Sequence, residues 1–253
     1  MQFVRPVDFS KFKPNEFHSQ IIAELESVIL ICTRVPPGCH GPALHTHPAD
    51  QFYYVTTGEM HIQLGHETQV VEPNSLVMIP EGVAHHNWNE GPVDEVHYEI
   101  IVPAPPRRIP TGTKIENESA IREGGTIVKL DQNRFKKGIK ASQILASSET
   151  GSEHAILRVD GVPPGASMGP GPHIHEFDQI YYVLEGTLSV DIALQHYEAG
   201  PNTFIILPAG VVHTNGNEGN VDERHLVLIT PHPTTPSGSG TWDTRVSLTT
   251  VAR

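Results

Sequence analysis

The sequence predicts an all-β protein built from two tandem copies of one fold, and three observations support this prediction. The chain has 22 glycines and 22 prolines among 253 residues, more than the roughly 12% that these two residue types average together. Short runs rich in valine, isoleucine, tyrosine and phenylalanine lie between these turn formers, and no ten-residue stretch has a convincing 3.6-residue apolar period. The third observation is a long internal repeat.

The repeat has a constant offset of 128 residues. DQFYYVTTGEMHIQLG, which begins at Asp50, aligns with DQIYYVLEGTLSVDIA, which begins at Asp178. NSLVMIPEGVAHHNWNEGPVDEVH from Asn74 aligns with NTFIILPAGVVHTNGNEGNVDERH from Asn202. An offset of this length indicates a duplicated domain rather than a solenoid, whose repeats have about 20–50 residues.

The strands of each copy are predicted in order along the chain. In the first copy they are FYYVTTG from Phe52, MHIQLG from Met60, SLVMIP from Ser75 and EVHYEIIV from Glu95. Each is short, enriched in β-branched and aromatic residues, and bounded by glycine, proline or asparagine. Antiparallel sheet closed into a small barrel or a sandwich is the simplest arrangement of such strands.

The domain boundaries are predicted from composition. IVPAPPRRIPTG, from Ile101 to Gly112, is proline-rich and is typical of an extended linker. We therefore expect a first domain over residues 1–105, a linker over 106–130 and a second domain over 131–253. Upstream of the aligned motifs, the VPPG segments at Val35 and Val162 are offset by 127, so one copy has a single extra residue in a loop.

Charge and composition argue against several classes of protein. The formal net charge of −12 does not suit a protein that binds nucleic acid or an anionic membrane. No run of about 18 apolar residues is present, and the first ten residues lack a signal-peptide core. With Cys32 and Cys39 as the only cysteines, no disulfide framework is implied, and we expect a cytoplasmic protein.

Histidine pairs point to metal binding. The chain has 16 histidines, and His45 with His47 and His173 with His175 form two His-x-His pairs at equivalent places in the repeat. Residues i and i+2 of a strand project from the same face. Two imidazoles side by side on an inner face can bind one metal ion, since imidazole is the commonest metal ligand among side chains.

Further ligands follow each pair at matched spacing. A glutamine lies four residues after the second histidine, and a third histidine follows a Pro-x-Gly turn. Three imidazoles and one amide oxygen form a partial coordination shell that leaves room for water or substrate. The predicted ligands are His45, His47, Gln51 and His85 in the first copy, and His173, His175, Gln179 and His213 in the second.

With these ligands identified, the sequence resembles the cupin family, and specifically the two-domain bicupins. The family's first motif is G-x5-H-x-H-x3/4-E-x6-G, which HTHPADQFYYVTTG and HIHEFDQIYYVLEG match from the histidine pair onward. Its second motif is G-x5-P-x-G-x2-H-x3-N, which PEGVAHHNWN and PAGVVHTNGN match from the proline onward. The resemblance implies two tandem jelly-roll barrels, each with a metal held by the predicted ligands.

The sequence departs from the family motifs in three ways. The leading glycine of the first motif is out of register, because Gly38 and Gly165 lie too early. The leading glycine of the second motif is Asn74 or Asn202, and asparagine tolerates a positive φ, so we expect the turn to survive. Both copies carry glutamine where most members carry a glutamate ligand, which leaves a divalent site with a charge of +2.

A glutamine ligand cannot act as a general base, so another group is needed if substrate must lose a proton. The more positive centre favours anionic oxygen ligands and is a stronger Lewis acid. Candidates for the base lie on the repeated DExH stretch and on the tyrosine pairs. They are His97 with Glu95, His225 with Glu223, and the tyrosines Tyr54 and Tyr182.

The resemblance implies a metal-dependent dioxygenase similar to the quercetin 2,3-dioxygenase-like bicupins, acting on a small aromatic, enol or diketone-like substrate. The alternatives are a non-redox lyase, isomerase or cyclase that uses the same ligands, and a small-molecule-binding protein. We expect up to two divalent transition-metal ions per chain, iron(II) first and nickel, manganese, cobalt or zinc as alternatives. The expected partners are a small anionic or enolisable substrate and, through an exposed sheet, a second copy of the chain.

Overall fold

The computed structural model describes residues 2–106, 112–233 and 244–246, and the chain forms two compact units. The first domain comprises Asp8–Leu130 and Leu145–His154. The second domain comprises Met1–Val7, Asp131–Ile144 and Ala155–Arg253. These units differ from the predicted boundaries, because the amino-terminal segment belongs to the second domain and most of the predicted linker belongs to the first. Linker residues 107–111 lie outside the described residues.

The strands are numbered in chain order. In the first half of the chain they are β1 (Val4–Pro6), β2 (His18–Glu24), β3 (Ile29–Val35), β4 (His45–Thr46), β5 (Asp50–Thr57), β6 (Met60–Leu64), β7 (Glu67–Val71), β8 (Ser75–Ile79), β9 (His85–Trp88), β10 (Glu95–Val102), β11 (Thr113–Lys114) and β12 (Thr126–Lys129). In the second half they are β13 (Ala141–Ala146), β14 (Ile156–Val162), β15 (His173–Ile174), β16 (Asp178–Glu185), β17 (Leu188–Ile192), β18 (Gln195–Ala199), β19 (Thr203–Leu207), β20 (His213–Gly216), β21 (Glu223–Thr230) and β22 (Thr244–Arg245).

Each domain consists of a six-stranded and a five-stranded sheet. The first domain has the strand orders β12-β8-β5-β10-β3-β2 and β11-β4-β9-β6-β7. The second has β1-β19-β16-β21-β14-β13 and β18-β17-β20-β15-β22. The two topologies match strand for strand, which is the structural counterpart of the sequence repeat. The strand beside β8 comes from the linker, whereas the strand beside its counterpart β19 comes from the amino-terminal segment.

The predicted all-β class with two tandem copies is confirmed. The helical segments in the described part of the chain are four short 3₁₀ turns, at Phe9–Lys11, Glu118–Ala120, Gln132–Arg134 and Ser148–Thr150. None of the described helical segments has the length or apolarity to cross a membrane. Within the described residues no sheet closes on itself, so each domain is a pair of open sheets around an apolar core.

The core of each domain lies between its two sheets. In the second domain Val183 and Val227, from the six-stranded sheet, pack in one buried cluster with Leu188 and Val190, from the five-stranded sheet. The first domain has an equivalent cluster that joins residues of β5 and β8 to residues of β6. Alternating residues of each strand therefore face this interior, which is also where the predicted ligands project.

Asparagines at two repeated positions hold the loops beside the site. Asn74 and Asn202 have φ values of 62° and 61°, so the turn survives the loss of the family's glycine, as predicted. The side chain of Asn89 donates to the carbonyls of Val35 and Val93 at 2.7 and 2.8 Å. Asn217 makes the same pair of bonds in the second domain. The motif asparagine is thus a structural residue that closes a loop.

Candidate metal centres

Two backbone features bring the three histidines of each domain together. His45 on β4 and His85 on β9 are directly opposed Cα partners, as are His173 and His213 in the second domain. Directly opposed residues of antiparallel strands project from the same face. The third ring is therefore placed against the His-x-His pair by strand pairing, although His85 follows His47 by 38 positions in the sequence.

The Pro-x-Gly turn fixes the approach of the third histidine. Gly82 has a φ of +76°, a conformation that favours glycine, and its amide donates to the carbonyl of His47 at 3.0 Å. The side chain of Asp50 on β5 accepts a hydrogen bond from the backbone amide of Glu81 at 3.0 Å, so β5 also holds this turn. In the second domain Gly210 has the same φ and donates to His175 at 2.9 Å.

The first histidine cluster presents unprotonated nitrogens to a common centre. The Nδ1 atoms of His45 and His85 donate to the carbonyls of Ala43 and Val83 at 2.8 and 3.0 Å. A neutral ring that donates through Nδ1 has its lone pair on Nε2. The Nε2 atoms of His45 and His47 lie 3.0 Å apart, and one nitrogen of each of the three rings lies within 4.8 Å of the others.

The second cluster has the same orientation and includes the predicted glutamine. Nδ1 of His173, His175 and His213 donates to the backbone carbonyl of Gly171, Phe177 and Val211 respectively. The Nε2 atoms of His175 and His213 face the amide oxygen of Gln179 at 2.9 and 3.2 Å. In neutral rings these three atoms are all acceptors, an arrangement that a bound cation would stabilise.

The amide of Gln51 is oriented by Glu99, a residue outside the predicted set. Its Nε2 donates to Oε2 of Glu99 at 3.1 Å, which leaves Oε1 pointing away from Glu99. This buried oxygen and Nε2 of His85 have no hydrogen-bond partner among the residues that the structure describes. Unpaired buried polar atoms are costly, and a cation bound by both would remove that cost.

Burial favours the neutral, metal-binding form of three of the clustered imidazoles, those of His45, His85 and His213. Burial, together with the neighbouring His47, lowers the pKa of His45. Burial and the nearby His45 lower the pKa of His85 well below its usual value. In the second domain burial is the main reason that the pKa of His213 falls to about 3. Neutral rings oriented through Nδ1, with an amide oxygen beside them, fit a divalent transition metal in each domain.

A cavity of about 420 Å³ opens onto the first cluster. Phe17, Ile31, Tyr53 and Ile101 supply much of its apolar lining, and His45, His47 and Gln51 lie in its wall. The polar groups besides these are Ser19, Asn87, Glu99 and Lys114. The cavity can therefore hold a small, partly apolar molecule against the histidines.

The predicted bases His97 and His225 are buried against carboxylate groups rather than among the clustered ligands. Nδ1 of His97 donates to Glu95 at 2.9 Å, and its Nε2 lies 3.5 Å from Oε1 of Glu99. Although burial opposes its charge, these two carboxylates raise the pKa of His97 to about 9. His225 donates to Glu223 at 2.9 Å in the same way. The ring of His97 packs against that of Tyr53, with centroids 4.8 Å apart. The ring of His225 packs against that of Tyr181, with centroids 4.9 Å apart.

The predicted tyrosines lie on the strand faces opposite to the predicted ligands. Tyr182 donates to Asn202 at 2.7 Å, on the face of β16 opposite to Gln179. Tyr54 is likewise on the opposite face of β5 from Gln51, because side chains alternate along a strand. The tyrosines on the ligand face are Tyr53, which lines the first cavity, and Tyr181, whose hydroxyl donates to Gln179 at 3.1 Å.

Glu99 is a carboxylate of the site that sequence reasoning missed. Comparing the repeats would have revealed it. EVHYEIIV in the first copy aligns with ERHLVLIT in the second, so Val227 is the residue equivalent to Glu99. A carboxylate at a core-facing position of one copy and an apolar residue in the other indicate a local role. The alternation of residues along one strand, however, does not reveal which neighbour such a carboxylate meets.

Comparison with known proteins supports the fold. A family model described as "Cupin domain" matches residues 32–102 and 159–229. No curated protein matches the sequence significantly. Among solved structures, a cupin 2 conserved barrel domain protein from Leptotrichia buccalis is 12% identical with a TM-score of 0.63, covering 91% of this chain and 98% of that one.

Two similar structures are enzymes. Salicylate 1,2-dioxygenase from Pseudaminobacter salicylatoxidans is 9% identical with a TM-score of 0.69, covering 85% of this chain and 76% of its own. Oxalate decarboxylase from Bacillus subtilis is 12% identical with a TM-score of 0.62, covering 90% and 76%. At these identities the likeness extends to the fold alone.

Proposed function

The chain belongs to the cupin family, and from this membership we propose that it is a metal-dependent dioxygenase that cleaves a small aromatic, enol or diketone-like substrate. One observation carries the proposal: in each domain three imidazoles converge within 4.8 Å with their nitrogens directed at one another. The salicylate dioxygenase among the similar structures supports oxygen chemistry in this fold. We propose iron(II) as the first metal to test.

A divalent metal bound by the histidines and the glutamine would polarise a substrate oxygen and, if redox-active, support reaction with dioxygen. The protein supplies the remaining parts of the site. His45 and His85 are held by backbone carbonyls and cannot rotate freely. Phe17, Ile31 and Ile101 form an apolar wall that excludes water and suits a flat substrate.

Oxygen consumption tests the proposal directly. Protein reconstituted with iron(II) is incubated with a flavonol, a β-diketone and a hydroxybenzoate in an oxygen electrode chamber. We expect substrate-dependent oxygen uptake that His47→Ala together with His175→Ala abolishes, whereas His66→Ala, a change at an exposed histidine outside both clusters, has no effect. Iron-loaded protein that consumes no oxygen with any of these substrates would count against a dioxygenase.

A second candidate is a non-redox lyase, isomerase or cyclase that uses the same ligands. The oxalate decarboxylase among the similar structures favours it, because that protein's name describes loss of a carboxyl group rather than ring cleavage. The same metal would then act as a Lewis acid on a carbonyl oxygen. Turnover that continues unchanged under strict anaerobiosis would support this candidate over the dioxygenase.

A further inference from the structure

One pair of opposed residues beside the sites differs in charge between the two domains. In the first domain Ile31 on β3 is the Cα partner of Glu99 on β10. In the second domain Arg158 on β14 is the Cα partner of Val227 on β21. These are equivalent pairs, because β14 follows β3 by 127 residues and β21 follows β10 by 128. Opposed residues share a face of the sheet. In the first domain this pair carries a carboxylate, that of Glu99 on β10, whereas in the second domain it carries a guanidinium, that of Arg158 on β14.

Glu99 places a carboxylate group against the predicted ligands of the first site. Its Oε2 accepts from Gln51 at 3.1 Å, its Oε1 accepts from the hydroxyl of Thr33, and Nε2 of His97 lies 3.5 Å away. Since Glu99 lines the cavity together with His45, its charge acts on any ligand bound there.

Arg158 is held as a positive group in the second domain. Its Nε donates to both carboxylate oxygens of Asp160, at 3.1 and 2.9 Å. Asp160 is 1% exposed whereas the side chain of Arg158 is 28% exposed, so the buried carboxylate anchors a partly open guanidinium. The Nη groups carry the remaining donors, and a guanidinium binds carboxylates through such paired donors.

Among the described residues, the second histidine cluster has no equivalent of Glu99. Val227, which takes that place, is fully buried in the apolar core cluster, alongside Tyr181. Gln179 receives a hydrogen bond from the Tyr181 hydroxyl instead of giving one to a carboxylate. The predicted ligands of both sites are neutral, but at the first site the carboxylate of Glu99 contacts one of them, Gln51.

We propose that the two domains select ligands of different charge. The second domain binds a carboxylate or another oxyanion at His173, His175 and His213, with Arg158 as a second contact. The first domain disfavours anions because of Glu99 and accepts an uncharged ligand whose hydroxyl donates to that carboxylate. This inference rests on the proposed metal binding but not on the reaction that follows.

Proteins with a single loaded site test the inference. His175→Ala leaves the first site, and His47→Ala leaves the second; each is loaded with cobalt(II), whose absorption spectrum reports ligand exchange. Both are titrated with azide at pH 7 and constant ionic strength. We expect the second site to bind azide about tenfold more tightly, the size of effect that one unit charge has in a partly screened cavity.

Substitutions at the two charged residues provide the matched controls. In the first-site protein, Glu99→Gln removes the charge with little change in shape and is expected to tighten azide binding about tenfold. In the second-site protein, Arg158→Met is expected to weaken binding of acetate at least threefold, and Arg158→Lys to retain part of it. Glu99→Val, which copies the second domain, serves if Glu99→Gln does not fold.

The outcomes separate this inference from the proposed function. Equal azide affinities at the two sites, or no change on replacing Glu99, would overturn the charge selection. If neither single-site protein takes up cobalt, the proposed metal binding fails and the inference fails with it. Cobalt uptake with tight azide binding only at the second site supports the inference, whatever reaction the protein catalyses.

Discussion

The orientation of single imidazole rings decides what the histidine clusters can bind. His45, His85 and their counterparts in the second domain each use Nδ1 to bond a backbone carbonyl two residues away. This leaves Nε2 as the atom that faces the cluster. Such backbone partners fix the tautomer and raise the affinity of a ring for a metal, so the short segment around each histidine is part of the site.

Replacing one ligand is expected to empty one site only. His47→Ala should lower the metal content by one equivalent per chain, and His175→Ala should lower it by one as well, because each cluster lies within its own domain. Elemental analysis after dialysis measures this. If both variants retain two equivalents, the ligand assignment is wrong.

Glutamate in place of the ligand glutamine is expected to affect the two domains differently. Gln51→Glu would put two carboxylates at the 3.1 Å distance that now separates Gln51 from Glu99, whereas Gln179→Glu would face the hydroxyl of Tyr181. In the metal-free protein we expect Gln51→Glu to lower the free energy of unfolding by about 1–3 kcal/mol more than Gln179→Glu does. Urea unfolding measures the difference, which should vanish when Glu99→Val is added. Equal losses without that addition would contradict the prediction.

The stability of the metal-free protein is expected to fall as pH rises above 7. Because the native pKa of His97 is about 9 and the unfolded value is about 6.5, the native state holds an extra proton between these values. The free energy of unfolding therefore decreases across this window, by about 3 kcal/mol in total. Denaturant titrations from pH 6 to 10 measure it, and His97→Gln should remove this part of the slope. An identical slope in the variant would show that His97 does not carry the charge.

Among the secondary-structure elements, a returning strand shapes the first site. β11 pairs with β4, so that Lys114 is opposed to His45, and β22 pairs with β15 in the same way. Gly112 lies directly before β11, and a Cβ there would be 2.9 Å from Cδ2 of His45 and 3.2 Å from Cε1 of His47. The backbone at Gly112 can therefore pass close to the histidine pair because glycine has no side chain.

Gly112→Ala is expected to weaken metal binding at the first site. The added methyl group would push His45 and His47 out of position, and we expect at least a tenfold loss of affinity there, about 1.4 kcal/mol, without change at the second site. Gly200→Ala is the control, because a Cβ at that position would meet no described atom within 4 Å. Metal titration of the single-site proteins measures the effect, and equal affinities in the two variants would refute it.

For the molecule as a whole, the proposed metal binding is expected to add stability to folds that do not depend on it. Each domain has its own buried apolar cluster between two sheets, so we expect the β-sheet circular dichroism to survive chelation. An ion present at 100 times its dissociation constant contributes about 2.7 kcal/mol. Chelation should therefore lower the midpoint of thermal unfolding, as calorimetry would show. Loss of the sheet signal on chelation, or no shift in the midpoint, would contradict this view.

The repeat, the all-β class and the grouping of the histidines could be predicted from the amino-acid sequence alone. These depend on local spacing: a strand has a period of two, so His45 and His47 share a face wherever the strand lies. The same period places Gln51 on the face of Tyr53 rather than that of Tyr54, which could be read from the sequence without a structure. The repeat likewise contained the difference between Glu99 and Val227.

Contacts between strands, in contrast, became known only from the folded chain. Glu99 contacts Gln51, and Arg158 opposes Val227, because β10 and β21 pair with their neighbours in a particular register. Register depends on contacts between segments far apart in the chain, which spacing within one segment does not encode. For the same reason the amino-terminal β1 belongs to the second domain: an edge strand is assigned by the sheet that pairs with it, not by its place in the sequence.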